Sequence, residues 1–116
     1  MRLMNYNIHS GKDSAGQMNL EAMAQAIADY APDFAFVEEV AVNVSTAGPV
    51  DASAFLQRHT GMVCHFAKAI DWQGGQYGIA LLSRHPVTDL RIYPVPDLEE
   101  SQRDGWFERR VVLTCQ

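Results

Sequence analysis

The sequence predicts an α/β (α+β) domain with a mixed sheet whose strands are flanked by helices, and three observations carry that reading. Strand-like and helix-like stretches alternate through the first sixty residues. The run Phe34 to Val37 is apolar throughout, as suits a strand covered on both faces. Beyond residue 62 short strands follow one another with turns between them, which gives β-α-β-α and then antiparallel strands.

Taken in order, RLMNYNI alternates and reads as the first strand, followed by the turn-forming HSGKDSAG. From Asn19, a suitable N-cap, Leu20, Met23, Ala24, Ile27 and Ala31 recur at helical spacing, and Pro32 marks the stop. That stripe is a helix-to-sheet packing surface. Pro32-Asp33 turns the chain into the strand Phe34 to Val37. Residues 41 to 52 then read as a polar loop and Ser53 to His59 as a short helix capped by Gly61. Met62 to Ala67 is the next strand, DWQGG a turn, and Tyr77 to Ser83 an apolar strand broken by RHP. Val87 to Val95 and Phe107 to Cys115 make the last two strands, on either side of the loop PDLEESQRDG. No repeat, low-complexity tract or interior linker divides the chain.

One domain with its own core fits 116 residues, and no apolar run approaches the ~18 residues of a membrane-spanning helix. Fourteen acidic and nine basic residues leave a net charge of −5, so no cationic surface holds a nucleic acid by counterion release alone. A polyanionic substrate needs local help from a metal ion or a few placed arginines. Cys64 and Cys115 match no zinc spacing and no disulfide framework and read as two buried free thiols. That suits the cytoplasm. MRLMNYNIH lacks the apolar core of a secretory signal, so secretion would require a leader already removed. FERRVVLTCQ stops within a β-rich run with no turn residue after it, which suggests a piece of a longer protein.

The second strand ends in FAFVEEV, with Glu38 and Glu39 adjacent. Carboxyl ends of strands open onto the crevice where ligands bind in a helix-covered sheet. Because strand neighbours point to opposite faces, one of the pair at most is expected to aim into a given site. A lone carboxylate with few companions suits Mg²⁺, which keeps several waters. The alternative is two solvated charges where the strand leaves the core. Asn5 and Asn7 share a face of the first strand, and a β-α-β crossover brings Asn7 close to Glu39. An asparagine there supplies a hard oxygen donor or, alternatively, caps a loop.

NYNIH, PDFAFVEEV, GGQYGIALLSRHP and ERRVVL, in this order and spacing, resemble the N-terminal half of the endonuclease/exonuclease/phosphatase superfamily of metal-dependent phosphoesterases, over about residues 3 to 114. PDFAFVEEV is similar to that family's PDhhhhQEh signature (h, apolar), with Glu38 where glutamine is usual. The resemblance implies that Glu39 holds Mg²⁺ (or Mn²⁺), that Asn7 lies beside the metal and the scissile phosphate, and that His9 stands nearby. It implies for ERR that Arg110 reaches a phosphate oxygen with Glu108 orienting it, where a surface salt-bridge cluster is the alternative. Gly78 is implied to let strands approach closely and Pro86 to end their pairing, with Tyr77, Arg84 and His85 outside catalysis.

The implied function is a phosphoester hydrolase of the phosphodiesterase, phosphatase or nuclease type. The fold implied is half of a four-layer α/β/β/α sandwich, with residues 1–116 as the N-terminal part of a single domain. The family's GDxN motif and terminal SDH are absent from these residues, so the chain itself is expected to be inactive for want of the catalytic histidine. A non-catalytic scaffold or binding module of the same fold is the competing reading. A half-sandwich exposes the inner face of its sheet, so the chain is expected either to be part of a longer protein or to self-associate through that face. No GxGxxG or GxxxxGK[ST] loop follows a strand, which disfavours a nucleotide-binding α/β domain.

Overall fold

The computed structural model describes residues 1–48, 50–103, 105 and 108–116. Among these described residues six strands and two α-helices follow in the order β1 (Leu3–Asn7), α1 (Leu20–Tyr30), β2 (Phe34–Val42), α2 (Ala52–Thr60), β3 (Val63–Trp72), β4 (Gly75–Ser83), β5 (Arg91–Pro94) and β6 (Val111–Thr114). The first four strands form one mixed sheet in the order β1-β2-β4-β3, in which β1 and β2 run parallel and the other pairs antiparallel. A separate antiparallel pair, β5-β6, forms a second small sheet.

Both helices cover the same face of the large sheet. The stripe Leu20, Ala24 and Ile27 of α1 and Ala52 and Leu56 of α2 pack with Ala35, Val37, Ala80 and Leu82 of the central strands in one core. Ile8, Ile27, Leu56 and Leu82 are fully buried there, and each such side chain contributes about 1.5–3 kcal/mol. Asn19 occupies the N-cap position as expected, but its side chain makes no capping bond. Ala31 closes α1 in the left-handed conformation ahead of Pro32. In α2 the cap is Asp51, whose carboxylate accepts from the Ala54 N–H, so the helix begins one residue earlier than Ser53.

Four strands differ in extent from the sequence reading by more than two residues. β2 runs on to Val42 and β3 to Trp72, well past Val37 and Ala67, because each takes one extra residue as a bulge and resumes pairing with β4. β5 and β6 are four residues each, shorter than Val87–Val95 and Phe107–Cys115. Phe107, expected to begin the last strand, lies outside the described residues.

β6 lies against the face of the large sheet opposite the helices, where Leu113 and Cys115 share a cavity of about 400 Å³ with Asn5, Phe36, Glu38 and Leu81. Leu81 is buried beneath this second sheet. Leu3, Phe36 and Val63 on the same face stay exposed at 56%, 47% and 54%, so the face is only partly covered. Cys64 and Cys115 are free and half-buried, and burial pushes the Cys64 thiol up to about 12. No helix among the described residues is long and apolar enough to cross a membrane.

Gly78 stands where the two bulges meet. Its partners are Val40 on β2 and Lys68 on β3, the pairs at which register resumes after one bulge and before the other. A Cβ at Gly78 would strike the backbone carbonyl oxygen of Ala67, and backbone on a paired strand has little room to give. Gly78→Ala is therefore expected to destabilise the fold by about 1–3 kcal/mol, as overpacking does. Urea unfolding of the purified variant measures this, and a wild-type midpoint would contradict the account.

Candidate functional site

The β2 bulge spans Glu38 and Glu39. Before it, Phe36 pairs with Leu81 and Val37 with Ala80; after it, Val40 pairs with Gly78 and Ala41 with Tyr77. Residues opposite each other in a sheet share a face. Phe36 and Glu38 therefore point to the face away from the helices before the bulge, and Glu39 and Ala41 do so after it. The expectation that only one of the two carboxylates aims into a given site is thus overturned, because the extra residue cancels the strand's alternation. Glu38 and Glu39 line one cleft together with Asn7, Tyr77, Glu108 and Arg110. Glu39 holds a left-handed φ of 57°, a conformation costing an L-residue on the order of 1–3 kcal/mol, and such strain concentrates at functional positions.

β1 supplies a partner for each carboxylate. Asn5 and Asn7 lie two residues apart and so face the same way. Asn5 Nδ2 donates to Glu38 Oε1 at 3.0 Å and Asn7 Nδ2 donates to Glu39 Oε1 at 2.9 Å. The Asn7 carbonyl oxygen is engaged elsewhere, accepting the His9 backbone N–H at 2.9 Å. Of the two roles weighed for Asn7, its oxygen takes the loop-closing one, and its amide nitrogen, not its oxygen, faces Glu39 and fixes that rotamer. His9 enters this arrangement through its backbone; it is exposed and is not among the residues lining the cleft.

The opposite wall comes from the segment leading into β6. Arg110 Nη2 lies 3.2 Å from Glu108 Oε2, and Glu108 is nearly buried at 14% side-chain exposure while Arg110 is open at 70%. The pairing keeps a largely buried carboxylate balanced and leaves guanidinium donors free to meet an anion in the cleft. Arg109 also lines the cleft and is tied back to Asp97 at 2.9 Å.

Sequence reasoning placed Tyr77 outside catalysis, and the structure places it in the lining of the cleft. It pairs with Ala41 just beyond the bulge and faces the cleft between Glu39 and Glu108. Burial, then the negative charge of Glu39 and Glu108, pushes its hydroxyl up to about 12, with a hydrogen bond to Glu39 adding to the rise and one to Ser10 opposing it. Tyr77 thus stays protonated near neutral pH and keeps a donor for Glu39. No signal in QYGIALLS sets a site tyrosine apart from a packed one, because the relevant parity depends on two bulges. Arg84 and His85 lie away from the cleft as expected: His85 Nε2 is 3.0 Å from Asp33 and Arg84 Nε donates to the Pro32 carbonyl. The bond from His85, then that from the Arg2 backbone, holds Asp33 below the usual carboxylate range.

Among the described residues no three His, Cys, Asp or Glu side chains stand together as a metal cage. The donors present in the cleft are carboxylate oxygens, which fits a hard cation held by one or two carboxylates with water completing the shell.

The architecture is shared with solved structures. An endonuclease/exonuclease/phosphatase from Beutenbergia cavernae matches with a TM-score of 0.78 and 26% identity, over 99% of this chain and 33% of that one. A functionally unknown conserved protein from Enterococcus faecalis matches with a TM-score of 0.72 and 19% identity, over 97% of this chain and 45% of that one, a likeness of fold alone. The chain thus spans about a third and under half of the lengths of the two structures. No curated protein matches it significantly. The family model of the endonuclease/exonuclease/phosphatase family matches residues 4–114, nearly the whole chain, and with the strand order and bulged cleft described above it establishes that this protein belongs to that family.

Proposed function

We propose that the chain supplies the metal-holding side of a hydrolase acting on phosphoesters, of the phosphodiesterase, phosphatase or nuclease type, with Glu39 as the carboxylate that holds Mg²⁺ or Mn²⁺. The observation that carries the reading is the strained, doubly held Glu39: a left-handed residue whose carboxylate accepts from Asn7 at 2.9 Å within a cleft that also contains an open guanidinium. Family membership supports the hydrolase class, since enzymes of this family generally depend on a divalent metal.

The chemistry a divalent cation supplies when bound is to offset charge on the phosphoryl and leaving oxygens as water attacks in line. Asn7 orients Glu39 through its amide N–H. Arg110 donates to a phosphate oxygen, and Glu108 fixes the guanidinium's direction. Protonated Tyr77 offers its hydroxyl to Glu39. We assign no general base among these residues. Residues 1–116 are proposed to be the N-terminal part of a larger domain that carries the base, so the isolated chain is expected to turn over little or no substrate. The alternative is a non-catalytic scaffold or binding module of the same fold.

Calorimetric titration of Mg²⁺ or Mn²⁺ into the purified chain tests the reading. Saturable binding is expected, and Glu39→Gln is expected to remove it while leaving the circular dichroism spectrum unchanged. Absence of binding in the unmodified chain would count for the scaffold. Glu38→Gln is expected to be nearly silent, because an amide oxygen still accepts from Asn5. Loss of binding in that variant alone would move the ligand role from Glu39 to Glu38.

A further inference from the structure

A second, smaller pocket adjoins the cleft and shares two of its walls. Ile70, Trp72 and Tyr77 supply its apolar surface, Ser10 and Glu108 its polar groups, and its volume is about 180 Å³. The β3 bulge at Ala69 creates it. Before the bulge Ala67 pairs with Ile79; after it Ile70 pairs with Tyr77 and Trp72 with Gly75. The shift brings Ile70 and Trp72 round to the face of Tyr77, where unbroken alternation would have turned them towards the opposite side. Trp72 remains 38% exposed at the end of the hairpin.

The contents of the pocket limit what fits. Its volume falls below the roughly 300–1,000 Å³ of sites for drug-sized ligands, so it takes one ring and not a polymer or an acyl chain. Among the described residues Glu108 is the one charged group lining it, which repels an anionic occupant. That carboxylate is already paired with Arg110 at 3.2 Å, so a cationic occupant meets a charge largely balanced. A neutral flat ring loses neither way, since it lies against indole and phenol faces and offers a hydrogen to Glu108.

We propose that this pocket is a specificity subsite for one flat, uncharged ring of the substrate carrying an N–H or O–H donor, with Trp72 and Tyr77 as its stacking walls and Glu108 as the acceptor. Its position beside the cleft makes the ring a substituent of the same ester whose phosphate meets Arg110. Only this last point rests on the reading of Glu39 as a metal ligand; recognition of the ring does not.

The test uses adenosine 5′-monophosphate, adenosine, glycerol phosphate and phosphocholine as probes, with the Trp72 indole N–H signal followed by NMR in Trp106→Phe protein, which retains Trp72 as its one tryptophan. Adenosine and its monophosphate should shift that signal saturably, and glycerol phosphate and phosphocholine should not. In Trp72→Ala, adenosine binding followed by calorimetry should weaken at least about fivefold. Adenosine binding should persist in Glu39→Gln, and the two readings separate in the unmodified chain: adenosine binding there without any binding of Mg²⁺ or Mn²⁺ would sink the hydrolase proposal alone. No shift with adenosine, an equal or larger shift with phosphocholine, or unchanged adenosine affinity in Trp72→Ala would overturn the subsite. The indole measurement needs no change at Trp72, so a poorly folded Trp72→Ala leaves the proposal open to refutation.

Discussion

The close passage of Gly78 between β2 and β3 is the constraint on which the rest of the site depends. A strand buries every second side chain, so an uninterrupted β2 would send Glu38 and Glu39 to opposite faces. The β2 bulge turns both to the face away from the helices, and the β3 bulge does the same for Ile70 and Trp72. Both strands keep their pairing with β4 on either side of the interruptions, and the residue between them has no room for a side chain. The strain at Glu39 is held by this frame, since ladder pairs on both sides leave its φ of 57° no cheap way to relax.

Charge in the cleft is managed by pairing and not by burial alone. Two adjacent carboxylates each receive an amide donor from β1, and the third, Glu108, receives a guanidinium. The parallel β1-β2 pairing sets this geometry, because a β-α-β crossover aligns Asn7 with Glu38 in register and puts its side chain beside Glu39. The core beneath, made by α1 and α2 on the other face, fixes the sheet against which these side chains are arranged.

Much of this was legible in the sequence, and the boundary of legibility has a physical cause. The α1 stripe, the apolar run of β2 and the turns at Pro32 and Gly61 are local signals, and the helices and strands they predict are present. The Asn7–Glu39 contact followed from topology alone. The double bulge did not, because register against a partner strand is a non-local property that no spacing in FAFVEEV records. Everything that hangs on it was therefore misread or unseen: the common face of Glu38 and Glu39, the full lengths of β2 and β3, and the place of Tyr77. His9 joins the site through its backbone, while its side chain lies outside the cleft lining.

The most direct test of the assembled face is to add Mn²⁺ to isotopically labelled protein and map which amide signals broaden by proximity to the paramagnetic ion. The account predicts broadening centred on Asn7, Glu39, Tyr77 and Glu108, elements far apart in sequence that the two bulges bring together, with α1 and the Asp33–His85 end of the sheet untouched. Broadening centred on another acidic surface, or spread evenly over the chain, would contradict it.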